Sequence, residues 1–330
     1  MPRACPVDRY ALYPRMNVFL TVDVDVYYTG DYDLEARGHG LGVDYILDVC
    51  NRYGLRSTFF VDAMGATQWG EDQVRMICDL IQGAQHDVQL HLHPNVARID
   101  GFEDTWDLLW HHDRDTQSML LGLGVEILNR CGVQTVNGFR AGALAANEDT
   151  LCAMQEHGLT LGSNRDRDLK SSLESKLNDL FPVQNDVSRV GSVTDLPVSV
   201  LRSPIPWTDG TYRHLEVCAL GAMEMRDALI KLERAGVTCA TILTHPKEFF
   251  YMKDGKEAIP IQKNRRRLEH LVKFLAGWES ANVVTFGDWR PPVELPSASP
   301  PEMRLNPLFS MMRLIEQGIY RVERKLSAPR

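Results

Sequence analysis

Residues 19–26 read FLTVDVDV and residues 87–94 read DVQLHLHP. Side chains alternate between the faces of an extended strand, so Val22, Val24 and Val26 point one way while Thr21, Asp23 and Asp25 point the other. Two like charges on one face of an apolar strand are costly unless a cation or a basic side chain lies near them. In the second stretch Val88, Leu90 and Leu92 share one face, and Gln89, His91 and His93 share the other. Two imidazoles at i and i+2 make a plausible chelate, and one carboxylate from the first strand would complete a two-histidine, one-carboxylate site open to water and substrate.

Two further strand ends carry chemistry. The run VTCATILTHP (237–246) places His245 at its end, where proline stops the ladder. The run ending in GFRAG (138–142) sends Arg140 to a rim where it would hold one of the paired aspartates ionised. Short β-rich runs at 17–26, 57–61, 87–93, 135–140, 159–163, 195–201, 237–245 and 282–286 alternate with helical spacing at 42–53, 71–83, 115–131, 147–157, 223–235 and 262–278. Seven or eight strands alternating with helices imply a mostly parallel α/β sheet with helices outside it, and barrel enzymes build their sites at the carboxyl ends of such strands. Residues 164–194 and 203–214 read as loops over the mouth, and Trp207 and Tyr212 in the second either stack on a ligand ring or pack the loop down.

The chain has 330 residues, 44% hydrophobic and 24% charged, which suits a globular protein with a substantial core and excludes disorder for most of it. A net charge of −8 argues against a nucleic-acid partner. The one basic run, Arg265 to Arg267, reads as a solvated helix face. Seven scattered cysteines, none in a C-x-x-C pair, together with the lack of a signal-like or membrane-spanning stretch, point to a cytoplasmic location.

The order of these motifs resembles the polysaccharide deacetylase family, the NodB-homology or family 4 carbohydrate esterases, over residues 14–290. The resemblance implies a distorted (β/α)7 barrel. It implies a base and a metal-binding aspartate at Asp23 and Asp25, histidine ligands at His91 and His93, and a base-orienting arginine at Arg140. It further implies an acyl-pocket leucine at Leu243, an acid at His245 and a fourth-motif aspartate at Asp195 in TDLPVS. The family has adjacent aspartates and histidines four apart, whereas here both pairs are two apart, which leaves open which aspartate touches the metal. The third motif lacks its usual proline and aromatic residue, implying a different sugar groove. The metal expected from the ligand types is zinc, with iron, cobalt, nickel or manganese also fitting.

The function implied is hydrolysis of an acetyl or formyl group from an N-acylated sugar, with activated water, an aspartate base and a histidine acid. An acidic cytoplasmic barrel suits a nucleotide- or lipid-linked biosynthetic intermediate of a surface glycan. The alternatives are an amidohydrolase acting on a non-sugar cyclic amide and a catalytically inactive metal-binding subunit of a complex. Residues 1–290 form the expected barrel unit, and 291–330 a proline-rich linker and an amphipathic helix from 305 to 326. In that helix Leu308, Met312, Ile315, Ile319, Val322 and Leu326 follow heptad steps, a seam expected to cover the barrel or a second copy, with membrane contact as the lesser expectation.

Overall fold

One curled nine-stranded sheet holds seven parallel barrel strands, with Ser188–Val190 added antiparallel at one edge and Ala281–Val283 beside the first strand. The computed structural model describes residues 15–25, 40–103, 106–166, 175–205, 212–253 and 257–326. The barrel strands are β1 (Met16–Val24), β2 (Thr58–Asp62), β3 (Asp87–Leu92), β4 (Gly138–Ala141), β5 (Leu161–Gly162), β6 (Val193–Asp195) and β7 (Cys239–Thr244). β7 lies beside β1, and from β1 the order runs in sequence through β2 to β6, every pairing parallel. The ring closes through the chain just after β6, where Val198 bridges Thr241 of β7 and Ser199 N donates to Thr241 O at 3.1 Å.

The distortion has a local cause. β2 meets β1 only from Thr21 upward, and the lower half of β1 is paired instead by β8 (Ala281–Val283) at Met16 to Val18. The chain leaving β8 then turns under the barrel, where Phe286 packs edge-on against Phe19 and Phe60 and Trp289 packs against Phe19. An aromatic plug thus fills the bottom of the barrel, and the polar inward residues Thr21, Asp23, His91 and Arg140 stack above it towards the carboxyl ends.

The outer layer is α1 (Val43–Arg52), α2 (Glu71–Gly83), α3 (Arg114–Arg130), α4 (Glu148–Glu156), α5 (Ala222–Arg234) and α6 (Gln262–Ala276). Each follows the helical spacing of the sequence. α4 starts on a capping box in which Asn147 Oδ1 accepts from Thr150 N and the Thr150 hydroxyl accepts from Asn147 N. α3 starts on the Asp113 side chain and stops at Gly132, whose φ of +93° is the left-handed conformation a helix terminus exploits.

Two expectations change here. The run 195–201 is not one strand: β6 ends at Asp195, and Val200–Arg202 pairs antiparallel with Tyr212–His214. Pro197 between them has no N–H to give to a ladder. The basic run is not a uniformly solvated face, since Arg267 is buried and donates to Cys218 O at 2.7 Å, Arg265 lies 3.8 Å over the Tyr45 ring, and only Arg266 is exposed. Beyond residue 290, Ser299 Oγ accepts from Gln184 N and Met303 O from Arg202 N.

The last helix, α7 (Pro307–Leu326), docks through its polar side rather than its heptad seam. Ser310 and Arg313 are buried and both reach Glu224 of α5, while Leu308, Met312, Ile315 and Ile319 face outward. The reason is electrostatic: the buried Glu224 carboxylate needs donors, and Ser310 and Arg313 on that side of α7 supply them.

Candidate active site

The carboxyl ends of β1 and β3 bring Asp25, His91 and His93 together, all buried. His91 Nε2 lies 3.1 Å and His93 Nε2 3.4 Å from Asp25 Oδ1, and the two Nε2 atoms are 3.1 Å apart. Ligands about 2.1 Å from one ion, at angles between octahedral and tetrahedral, stand about 3.0 to 3.4 Å from one another. The donor set therefore fits a divalent cation.

The surroundings of the triad agree. His91 Nδ1 donates to Arg140 O at 2.7 Å and His93 Nδ1 to Asp107 Oδ1 at 2.7 Å, a tautomer assigned from these acceptors that leaves both Nε2 lone pairs pointing inward. Asp25 Oδ1 is buried without a hydrogen bond. Three acceptor atoms facing one another repel unless a cation or protons intervene. Without a cation protons do so: burial opposes charge on His93, but the Asp107 and Asp25 carboxylates outweigh it and hold the imidazole well above its usual value. Burial likewise favours neutral Asp25, yet His91 and His93 hold that carboxyl well below its ordinary range. Metal binding would displace these protons.

β4 supports this geometry twice. Its Arg140 carbonyl orients His91, and its turn brings Gly142 so close that a Cβ there would stand 2.5 Å from the His93 ring. The same arginine sends Nη1 to Asp23 Oδ1 at 2.6 Å and to Thr21 Oγ1 at 2.9 Å, fully buried, with its guanidinium 4.4 Å over the Phe60 ring. Asp23 thus pairs with Arg140, and Asp25 faces the histidines.

His245 stands on the other side of Asp23, Nε2 to Oδ2 at 4.0 Å. Its Nδ1 donates to Glu248 Oε1 at 2.8 Å and lies 4.0 Å from Glu216. Burial opposes the imidazolium, but the Glu248 hydrogen bond and charge, with Asp25 and Asp23, push the pKa up to about 9. Burial and the neighbouring Glu248 push Glu216 up to about 7, while His245 holds Glu248 below the usual carboxylate value against the effect of burial. Leu243 joins Leu144 and Val198 in a small apolar cluster beside these groups.

The other expected residues lie elsewhere. Asp195 accepts from Arg165 Nε at 3.0 Å and Asn164 N at 2.9 Å, pinning the loop after β5 instead of meeting His245. The Tyr212 hydroxyl donates to Glu302, and Trp207 lies outside the described residues.

Several residues of the site went unread in the sequence. Asp62 is buried, with Oδ1 accepting from Met64 N at 3.0 Å and Oδ2 without a hydrogen bond, and burial pushes its pKa up to about 6. The signal was available, because TFFVD is another apolar strand ending in aspartate. Lys247 places Nζ 2.5 Å from Asp25 Oδ2. Beside Asp107, the exposed Trp106 ring stacks on His111 at 4.8 Å, and His111 stacks on Trp110 at 4.1 Å.

No family model and no curated protein matches the sequence. Among solved structures, a Mycobacterium smegmatis protein designated a polysaccharide deacetylase aligns over 87% of this chain and 91% of its own, with TM-score 0.52 and 17% identity. The chain has the polysaccharide deacetylase fold. A 4-alpha-glucanotransferase from Thermococcus litoralis shares the barrel at TM-score 0.52 and 11% identity, over 88% of this chain and 42% of that one. The deacetylase fold matches the reading of the strand-end motifs, and at these identities the likeness is one of architecture.

Proposed function

We propose that this polysaccharide deacetylase fold is a metal-dependent hydrolase that removes an acetyl or formyl group from an N-acylated sugar. The observation that carries the reading is that Asp23, held by Arg140 at 2.6 Å and 4.0 Å from His245, shares a strand end with Asp25, which with His91 and His93 forms a buried donor triad fit for a cation. Asp25, His91 and His93 would hold the cation, which when bound would supply Lewis acidity to water and to an amide carbonyl. Zinc is the expected ion, with iron, cobalt, nickel or manganese also compatible.

Asp23 takes a proton from the attacking water at the carboxylate oxygen that Arg140 leaves free. His245, charged at neutral pH, gives its proton to the departing amine, and proton transfers of this kind are worth about 10² to 10⁴ in rate. Leu243, Leu144 and Val198 offer the acyl methyl an apolar wall. Trp106 offers a sugar ring an aromatic face on the loop that anchors His93 through Asp107. A nucleotide- or lipid-linked intermediate handled in the cytoplasm suits the acidic chain.

Turnover of N-acetylated sugars with added divalent metals, and elemental analysis of two variants, test the reading. His91→Ala is expected to lose the metal, and Asp23→Asn to keep it while losing about 10² to 10⁴ in turnover. Wild-type turnover by Asp23→Asn, or unchanged metal content in His91→Ala, would overturn it.

A further inference from the structure

The outward face of α7 is apolar along its described length. Leu308, Met311, Met312, Ile315 and Ile319 are between 49% and 65% exposed, and between them stands Gly318, also exposed. Those positions repeat at three and four residues, so they form one stripe. A stripe of this kind on a soluble surface marks an interaction site.

The helix cannot turn this stripe inward. Arg313 Nε donates to Glu224 Oε2 at 2.8 Å with both side chains buried, Ser310 also donates to Glu224, and Arg267 holds Glu316. The stripe continues into a groove bordered by Tyr251, Ile259 and Pro260 of the hairpin after β7. Met252 at that hairpin is exposed as well.

Charge decides what covers it. The groove's rim carries Lys263 and the exposed Arg266, and Glu316, the one carboxylate among the described residues that line it, is already paired with Arg267. The chain as a whole has a net charge of −8, so this basic edge stands against the average. A second copy docking through the same face would bring two basic edges together. An anionic lipid surface instead meets the apolar stripe with its acyl boundary and the basic edge with its headgroups. No helix of the described residues is long and apolar enough to cross a membrane, so the contact is peripheral.

We propose that α7 and the neighbouring hairpin dock the protein on an anionic lipid surface, with the stripe from Leu308 to Ile319 entering the interface. The docking is independent of the hydrolysis proposed above, so a protein that binds vesicles and hydrolyses nothing would sink that reading and leave this one standing.

The test is co-sedimentation of the full chain with phosphatidylcholine vesicles that do or do not contain phosphatidylserine. Binding is expected to the anionic vesicles, weakening as salt rises. The fold-preserving surface variants Met312→Glu and Ile315→Glu are each expected to lose roughly tenfold in affinity, and Arg266→Glu a smaller factor. Circular dichroism of each variant checks that the fold is kept. Absence of binding to anionic vesicles, or equal binding by both glutamate variants, would refute the proposal. So would a dimer in sedimentation equilibrium that Met312→Glu dissolves while vesicles bind nothing, because the face would then belong to a second copy.

Discussion

Glu248 follows His245 by three residues, and the chain reverses just enough after Pro246 for its carboxylate to accept from Nδ1 at 2.8 Å. The groups facing the ring are Glu248 from its own turn, Glu216 from the segment beside β7, and Asp23 from β1, each within 4.0 Å, with Lys247 on Asp25 nearby. Apart from the lysine all are acidic, so the imidazolium is favoured. The raised value means that the proton is present through neutral pH and is lost as pH climbs through about 9. An acid role therefore gives kcat/KM a basic limb at or somewhat below pH 9, because a cation bound at Asp25 offsets that residue's share. Glu248→Gln removes the largest favourable contribution and is expected to move the limb down by about 1 to 3 units. A pH profile with an unmoved basic limb would show that His245 is not tuned this way.

At the scale of elements, β4 and its turn do the most for the site, through residues that never touch a reacting atom. Gly142→Ala would drive a methyl into the His93 ring, 2.5 Å from Nδ1 and Cε1. The expected result is a loss of roughly 10- to 100-fold in metal affinity with an unchanged circular dichroism spectrum, comparable to disturbing a ligand's supporting hydrogen bond. Wild-type affinity by isothermal titration would show that the ring has room to move. The same turn shows what the sequence could and could not disclose. Arg140, Asp23, Asp25, His91, His93 and His245 were legible because a strand's period of two fixes which side chains face inward, and the structure brings all six to one rim. Asp107 was not, since it lies fourteen residues beyond His93 in a segment without periodicity, and only tertiary contact joins them. Glu216 was hidden for the same reason. Asp195 was named from the resemblance alone, with no periodicity to fix its partner, and the structure gives its carboxylate to Arg165 and the Asn164 N–H.

Across the whole molecule, polarity is sorted along the barrel axis, with aromatic rings at the bottom and titratable groups at the carboxyl rim, and α7 is fastened outside by the buried Glu224–Arg313 pair and by Arg267 on Glu316. The heptad pattern in α7 was legible, but which face would be buried was not, because the answer depends on Glu224, some ninety residues earlier in the chain. Glu224 also accepts from Gly221 N at 3.2 Å, capping the start of its own helix α5. Removing one partner of a buried pair leaves an uncompensated charge and costs about 3 to 5 kcal/mol, whereas replacing both with apolar groups of similar volume is often neutral. Glu224→Ala should therefore release α7, read as faster amide hydrogen exchange across residues 307–320, while the barrel strands stay protected. The double variant Glu224→Leu with Arg313→Met should recover most of that protection, short of what the lost cap and Ser310 contact contribute. If the single variant left exchange in α7 at its wild-type rate, the Glu224 pair would not be what fastens the helix, and Arg267 on Glu316 with the half-buried Phe309 and Leu314 would hold it instead.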